Sequence, residues 1–150
     1  MEHQQNNKLI QREEKDWRSL SVILPVACRT ISDVLKCERP QLSRLTKECG
    51  EPKTLAAIEA LIFGVVENTN VGKSMNANQI RFGAGLLLEK FWYLKLEDFS
   101  LCFRKGIAME YGKLYDRMDI QIIIDWVNQY EQERNNECAK LQRDQGRDVL

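Results

Sequence analysis

Histidine is nearly missing from this chain: one residue, His3, in 150. Catalysis by a Ser-His-Asp or Cys-His pairing needs an imidazole held within hydrogen-bond reach of the nucleophile. A lone histidine in a polar terminal stretch does not provide it, and histidine-rich metal sites are excluded with it. Net charge is missing too, with 22 Lys and Arg against 22 Asp and Glu. The whole-chain charge therefore gives no argument for nucleic acid, an anionic membrane surface or an acidic partner. Long apolar runs are absent. The longest, around Leu20–Ala27 and Leu55–Val66, fall short of the roughly 20 residues a spanning helix needs. The opening Met-Glu-His-Gln-Gln-Asn-Asn has no apolar signal-peptide core, so a cytoplasmic protein is expected. Cysteine is present but unpaired in spacing: the five residues at 28, 37, 49, 102 and 138 form no Cys-x-x-Cys. Neither a disulfide framework nor a zinc site is expected from them, only reduced thiols that are buried or incidental.

What remains is the material of one globular domain. A hydrophobic content of 43% and a charged content of 29% are ordinary for such a domain. The apolar residues recur in steps of three and four, and no strand-like alternation lasts more than a few residues. The expected fold is all-α, a single compact domain of about five or six helices. A polar N-terminal arm over 1–18, a helical domain over 19–134 and a polar helix end or tail over 135–150 complete it.

The helices can be placed from their stripes and caps. Leu20, Ile23, Leu24, Ala27, Ile31, Val34 and Leu35 mark a first stripe, and Pro25 as a first-turn residue places its main helix at about 25–37. Pro40 restarts the chain, with Leu42 and Leu45 as a modest apolar edge and Gly50 as the stop. Thr54 is the expected cap of a central helix bearing Leu55, Ile58, Ile62, Val65 and Val66. Asn76 and Gln79 fit a capping box before Ile80, Ala84, Leu87, Leu88 and Phe91. Phe99, Cys102, Phe103 and Ile107 give the next face, and Gly112 punctuates the chain after it. Asp119 caps the last helix, which carries Ile120, Ile123, Ile124 and Val127, turns polar after Gln129 and frays by Gly146.

Three patterns invite a chemical reading. Val71-Gly72-Lys73-Ser74 ends like a phosphate-binding loop, and Ile122-Ile123-Ile124-Asp125 imitates a magnesium-holding strand end. The full loop needs a glycine where Glu67 stands, and a carboxylate there would repel the phosphates. Nucleotide hydrolysis is therefore not expected; a loop leading to a helix start is. Glu97 and Asp98 are adjacent, but neighbouring helical side chains diverge by about 100°, so they are not preset to share a proton or a metal. Their place in the first turn of a helix fits the macrodipole instead.

The third pattern is the candidate site. Arg104, Lys105, Lys113 and Arg117 surround a Tyr-Gly-Lys turn together with Tyr111 and Tyr115. Basic side chains can bind phosphates, and tyrosines can stack on bases. An acidic protein partner and a plain solvated face are the other readings of the same residues. Phe91-Trp92-Tyr93 places three aromatics around one turn, so at least one must face away from the core.

The block from Asn76 to Arg134 resembles short, poorly characterised proteins of phages and mobile elements in Bacteroides-type gut bacteria. The resemblance lies in Gln79-Ile80, in Phe91-Trp92-Tyr93-Leu94-Lys95-Leu96-Glu97-Asp98-Phe99, in Tyr111-Gly112-Lys113-Leu114-Tyr115 and in the helix from Asp119 to Tyr130. It implies a setting in a bacterial host and brings no activity. The combined expectation is a small non-enzymatic adapter without a cofactor, acting at nucleic acid as an accessory to replication or DNA maintenance. The alternative is a protein-interaction or structural module, such as a virion component, a host-protein antagonist or a homo-oligomer.

Overall fold

A computed structural model describes residues 25–148. The expectations for the arm over 1–18, for His3 and for Leu20, Ile23 and Leu24 lie outside the described residues. Within them the chain is all-α, as expected. The helices are α1 (Ile31–Lys36), α2 (Leu42–Cys49), α3 (Glu51–Glu67), α4 (Ala77–Lys90), α5 (Leu96–Ile107) and α6 (Ile120–Asp148).

Helix α3 is central and packs against α2, α4 and α5. Its apolar character on most sides explains the position, because Ala57, Ile58, Ile62 and Val65 are all buried. Helix α6 packs on α5, α1 and α4. The core is continuous. Phe91, Phe99 and Phe103 form an aromatic row through it, with ring centroids 6.4 and 5.9 Å apart. Phe91 is buried, Tyr93 half-buried and Trp92 exposed. The three neighbouring aromatics thus divide between core and surface as their spacing requires.

Two helix starts differ from the sequence expectation. The first stripe predicts a helix over about 25–37, but α1 begins at Ile31. Thr30 is its cap: its hydroxyl accepts from Asp33 N at 3.1 Å, and the Asp33 carboxylate accepts from Thr30 N at 3.1 Å. This reciprocal box stabilises a start at residue 31, while Val26 is held upstream by the hydrogen bond its backbone N–H donates to Glu97. Thr54 is not the cap of α3. The helix starts at Glu51, with Pro52 in its first turn, where the missing amide costs nothing. The Thr54 hydroxyl is turned inward and donates to Gly50 O at 3.1 Å.

Other starts agree. Asn76 and Gln79 form the capping box of α4, at 2.9 and 2.8 Å. Asp119 caps α6 by accepting from Ile122 N at 3.1 Å. Gly50 adopts φ 92° between α2 and α3, a value that favours glycine. Helix α6 does not stop at Gly146 but continues to Asp148. The loop between α4 and α5 supplies the missing cap of α2. Its carbonyls at Leu94 and Trp92 accept from Leu42 N and Ser43 N at 2.8 and 2.9 Å. Two of the orphan amides of that helix start are thereby satisfied.

Candidate functional site

The six predicted site residues do not gather at one place, although Lys105 meets Tyr111. Arg104 and Lys105 stand near the end of α5 and line a ≈ 630 Å³ cavity together with Arg29, Ser32, Glu110 and Glu137. Tyr111, Lys113, Tyr115 and Arg117 lie on the connection to α6 and line a separate cavity of ≈ 350 Å³, which Asp116 and Asp125 also enter.

Folding neutralises much of the basic charge. Lys105 Nζ pairs with Glu133 on α6 and lies 5.8 Å from the centroid of the Tyr111 ring. Arg117 Nε pairs with Asp119 at 3.3 Å. Arg104 reaches Cys28 O at 3.5 Å. Lys113 is exposed and has no ion pair among the described residues. Tyr111 belongs to the packing layer rather than the surface. Burial, with the nearby Cys102 and Glu133, pushes its hydroxyl pKa up. Tyr115 is the opposite case, 81% exposed.

The connection between α5 and α6 owes its shape to two devices. Helix α5 closes with Glu110 N donating to Lys105 O and Met109 N to Gly106 O, both at 3.0 Å. This double closure needs a left-handed residue after the cap; Met109 supplies it at φ 65°. Farther along, the loop meets the Gly72-Lys73 turn. Lys73 N donates to Asp116 O and Met118 N donates to Lys73 O, both at 2.8 Å. Lys73 is therefore placed beside Arg117 across 44 positions of sequence. The phosphate-loop lookalike is a docking strap for this connection, and the run before it is helix rather than strand.

The same end of the molecule carries an apolar cleft of ≈ 290 Å³. Met75, Asn76, Phe82, Asp119 and Ile120 line it. Phe82 at its rim is 67% exposed. Close approach of α4 and α6 makes this cleft: a Cβ on Gly83 would stand 2.7 Å from Ile120 Cδ1. Lys73 and Phe82 were not among the predicted site residues. Lys73 lies in the Gly72-Lys73 pattern, but its neighbour Arg117 is 44 positions away, and Ile120, which shares a cleft with Phe82, is likewise remote from local view. Among the described residues, no group of three or more His, Cys, Asp or Glu could hold a metal ion, and no helix is long and apolar enough to cross a membrane.

No protein-family model, curated protein or solved structure gives a significant match to the chain. Its function must be argued from this geometry.

Proposed function

We propose that the chain is a non-enzymatic binding module whose partner is a protein. The observation that carries this reading is a pair of clefts joined by one loop, each lined by an exposed aromatic, Tyr115 in one and Phe82 in the other. One loop holds Tyr115 and continues, through Asp119 and Ile120, into the wall of the Phe82 cleft. An exposed aromatic at an apolar cleft, with a second at a neighbouring polar one, resembles the anchors of protein interfaces. The local charge is close to balanced: four basic residues, Lys73, Arg81, Lys113 and Arg117, stand against three acids, Asp116, Asp119 and Asp125, and Arg117 pairs with Asp119. Phosphate binding requires an uncompensated basic surface, which favours protein over nucleic acid.

Nucleic-acid contact, as in a replication or DNA-maintenance adapter, is the second reading. It is favoured by the juxtaposition of Lys73 with Arg117 beside Lys113 and Tyr115. The setting in a phage or mobile element, in the cytoplasm of a bacterial host, belongs to the same proposal and rests on the resemblance of residues 76–134.

One experiment separates the readings. Wild type, Phe82→Ser/Tyr115→Ser and Lys113→Ala/Arg117→Ala are compared in partner capture from the host, in solution mass measurement and in DNA binding at two salt concentrations. The proposal expects a specific association that the aromatic variant loses and the charge variant largely keeps. DNA binding that falls steeply with salt and disappears in the charge variant would replace it with the second reading. An aromatic variant that keeps every association of the wild type would overturn it.

A further inference from the structure

Arg104 stands in the lining of two different cavities. The first is the ≈ 630 Å³ polar cavity that it shares with Arg29, Lys105, Glu110 and Glu137. The second, of ≈ 350 Å³, lies between α3 and α5. Leu61, Gly64 and Val65 line it from α3, and Phe103, Arg104 and Ile107 from α5. Arg104 is its single charged side chain. Both volumes are those of small-molecule sites, roughly 300–1,000 Å³, which combine apolar walls with a few polar groups.

Helix geometry makes the apolar cavity a groove. Its lining recurs in steps of three and four on both sides, at 61, 64, 65 and 68 along α3 and its cap and at 100, 103, 104 and 107 along α5. Each wall is thus one helical face, about two turns or ~10 Å long. Val65 and Phe103 are core side chains, 1% and 3% exposed. Leu61 and Ile107 are half-buried and keep apolar surface that an apolar ligand would remove from water. Gly64 leaves room over the α3 backbone, since a Cβ there would meet nothing within 4 Å.

The charges select the ligand. Lys105 is engaged by Glu133, and the Asn68 side-chain amide by Gly64 O at 2.7 Å. Arg104 has no ion pair among the described residues. Its hydrogen bond to Cys28 O, at 3.5 Å, uses only part of its donor fork. Arg29 adds a second guanidinium to the polar cavity, but Glu110 and Glu137 enter it too. That balance disfavours a multiply charged phosphate. It suits a single carboxylate, which one guanidinium binds through two parallel N–H bonds.

We propose that this site binds a medium-chain fatty carboxylate, with its head on Arg104 and its alkyl tail in the groove between α3 and α5. None of the residues involved line the Phe82 or Tyr115 clefts, so the site is independent of the protein-binding surface.

The test follows the backbone amides of the full chain by NMR during titration with hexanoate, octanoate and decanoate, each below its micelle concentration. 1-Octanol supplies the same tail as octanoate without the charge. The expected result is one saturable site with shifts at Gly64, Val65, Phe103 and Ile107, tightening by roughly fourfold per added methylene. Octanoate should bind about tenfold more tightly than 1-octanol, the value of a charged hydrogen-bonded pair. Arg104→Gln should remove that difference, and Gly64→Leu, which fills the groove, should abolish binding of both. Absence of a saturable shift in the groove, equal binding of 1-octanol and octanoate, or octanoate binding unchanged in either variant would overturn the proposal. So would a dimer in solution that Gly64→Leu dissociates, because a second copy would then fill the groove. The wild-type comparison of octanoate with 1-octanol decides even if a variant fails to fold.

Discussion

The Tyr130 hydroxyl donates to Asp98 Oδ1 at 2.7 Å inside the core, joining the middle of α6 to the first turn of α5. Asp98 is 0% exposed and fully occupied: Arg134 Nε donates to the same oxygen at 3.0 Å, and Lys95 N donates to Oδ2 at 2.8 Å. A buried carboxylate is tolerable only with such partners. Asp98 therefore acts as capping residue, ion-pair partner and hydrogen-bond acceptor at once. Removing it strands three donors. Asp98→Ala should cost about 3–5 kcal/mol, the range for breaking a buried pair. Tyr130→Phe leaves Arg134 and Lys95 in place and should cost about 1.5 kcal/mol. Urea unfolding of both variants checks the ordering, which fails if Tyr130→Phe is the more damaging.

Three helical glycines should respond in opposite directions to alanine. A Cβ on Gly106 would stand 2.2 Å from Trp126 Cε3, against an indole ring with little freedom to move, whereas one on Gly85 or Gly64 would meet nothing within 4 Å. Gly106→Ala should destabilise by about 1–3 kcal/mol through overpacking of α5 on α6. Gly85→Ala and Gly64→Ala should each stabilise by roughly 0.5–1 kcal/mol through helix propensity. Thermal melting distinguishes the signs directly. A rise in midpoint for Gly106→Ala would contradict the close approach of the two helices.

Met109 closes α5 in a left-handed conformation, φ 65°, that suits glycine better than a residue with a Cβ. It is 55% exposed, so little packing is lost on its removal. Met109→Gly should therefore stabilise the fold by about 0.5–1 kcal/mol, net of the entropy that glycine adds to the unfolded chain. Denaturant midpoints of the two proteins give the comparison. A clear loss would mean that the Met109 side chain holds the turn by contacts.

Much of this architecture is legible locally, and the parts that are not share one physical cause. Helix faces and the caps at Asn76 and Asp119 depend on residues three or four apart, which a single sequence displays. The apolar stripe continues upstream of α1 and places its start near residue 25, whereas the Thr30–Asp33 box and the Val26–Glu97 hydrogen bond set it at Ile31. The paired acids Glu97 and Asp98 read as first-turn residues, and they are. Their burial, however, depends on Arg39 and Arg134, respectively 58 and 36 positions away. The candidate site failed to assemble for the same reason. Its basic residues are close in sequence, but a helix end and a left-handed turn send Arg104 and Lys105 one way and Lys113 and Arg117 another. Lys73 joins Arg117 only through a long-range backbone pairing.

Alkaline pH should unfold this protein through its tyrosines. Burial and the Glu131 carboxylate push the Tyr93 hydroxyl up to about 12 from an ordinary 10.0. Burial, with Asp98 next, raises Tyr130 as well, and Tyr111 shifts in the same direction. A raised folded pKa means that the unfolded chain binds fewer protons above pH 10, so stability falls there as pH rises. The contribution is whole below pH 10 and, for Tyr93, is lost between 10 and about 12. Tyrosinate absorbance and helical circular dichroism followed together should change in one step for these three residues. Their ionisation in an intact helical fold would show that they are more open than the structure places them.

The exposed aromatics should prove dispensable for folding. Phe82 is 67% exposed and Tyr115 81%, whereas Trp126 is 3% exposed and packed against Gly106. Surface substitutions away from caps and networks change stability by about 0.5 kcal/mol or less, so Phe82→Ser and Tyr115→Ser should melt close to wild type. Trp126→Ala should lose about 3–5 kcal/mol by leaving a core cavity. The contrast matters for function. Under the proposed function, a partner would cover these two aromatics. If either serine variant lost more than about 2 kcal/mol, far beyond the surface range, the residue would be part of the fold, and the binding surface would have to be sought elsewhere.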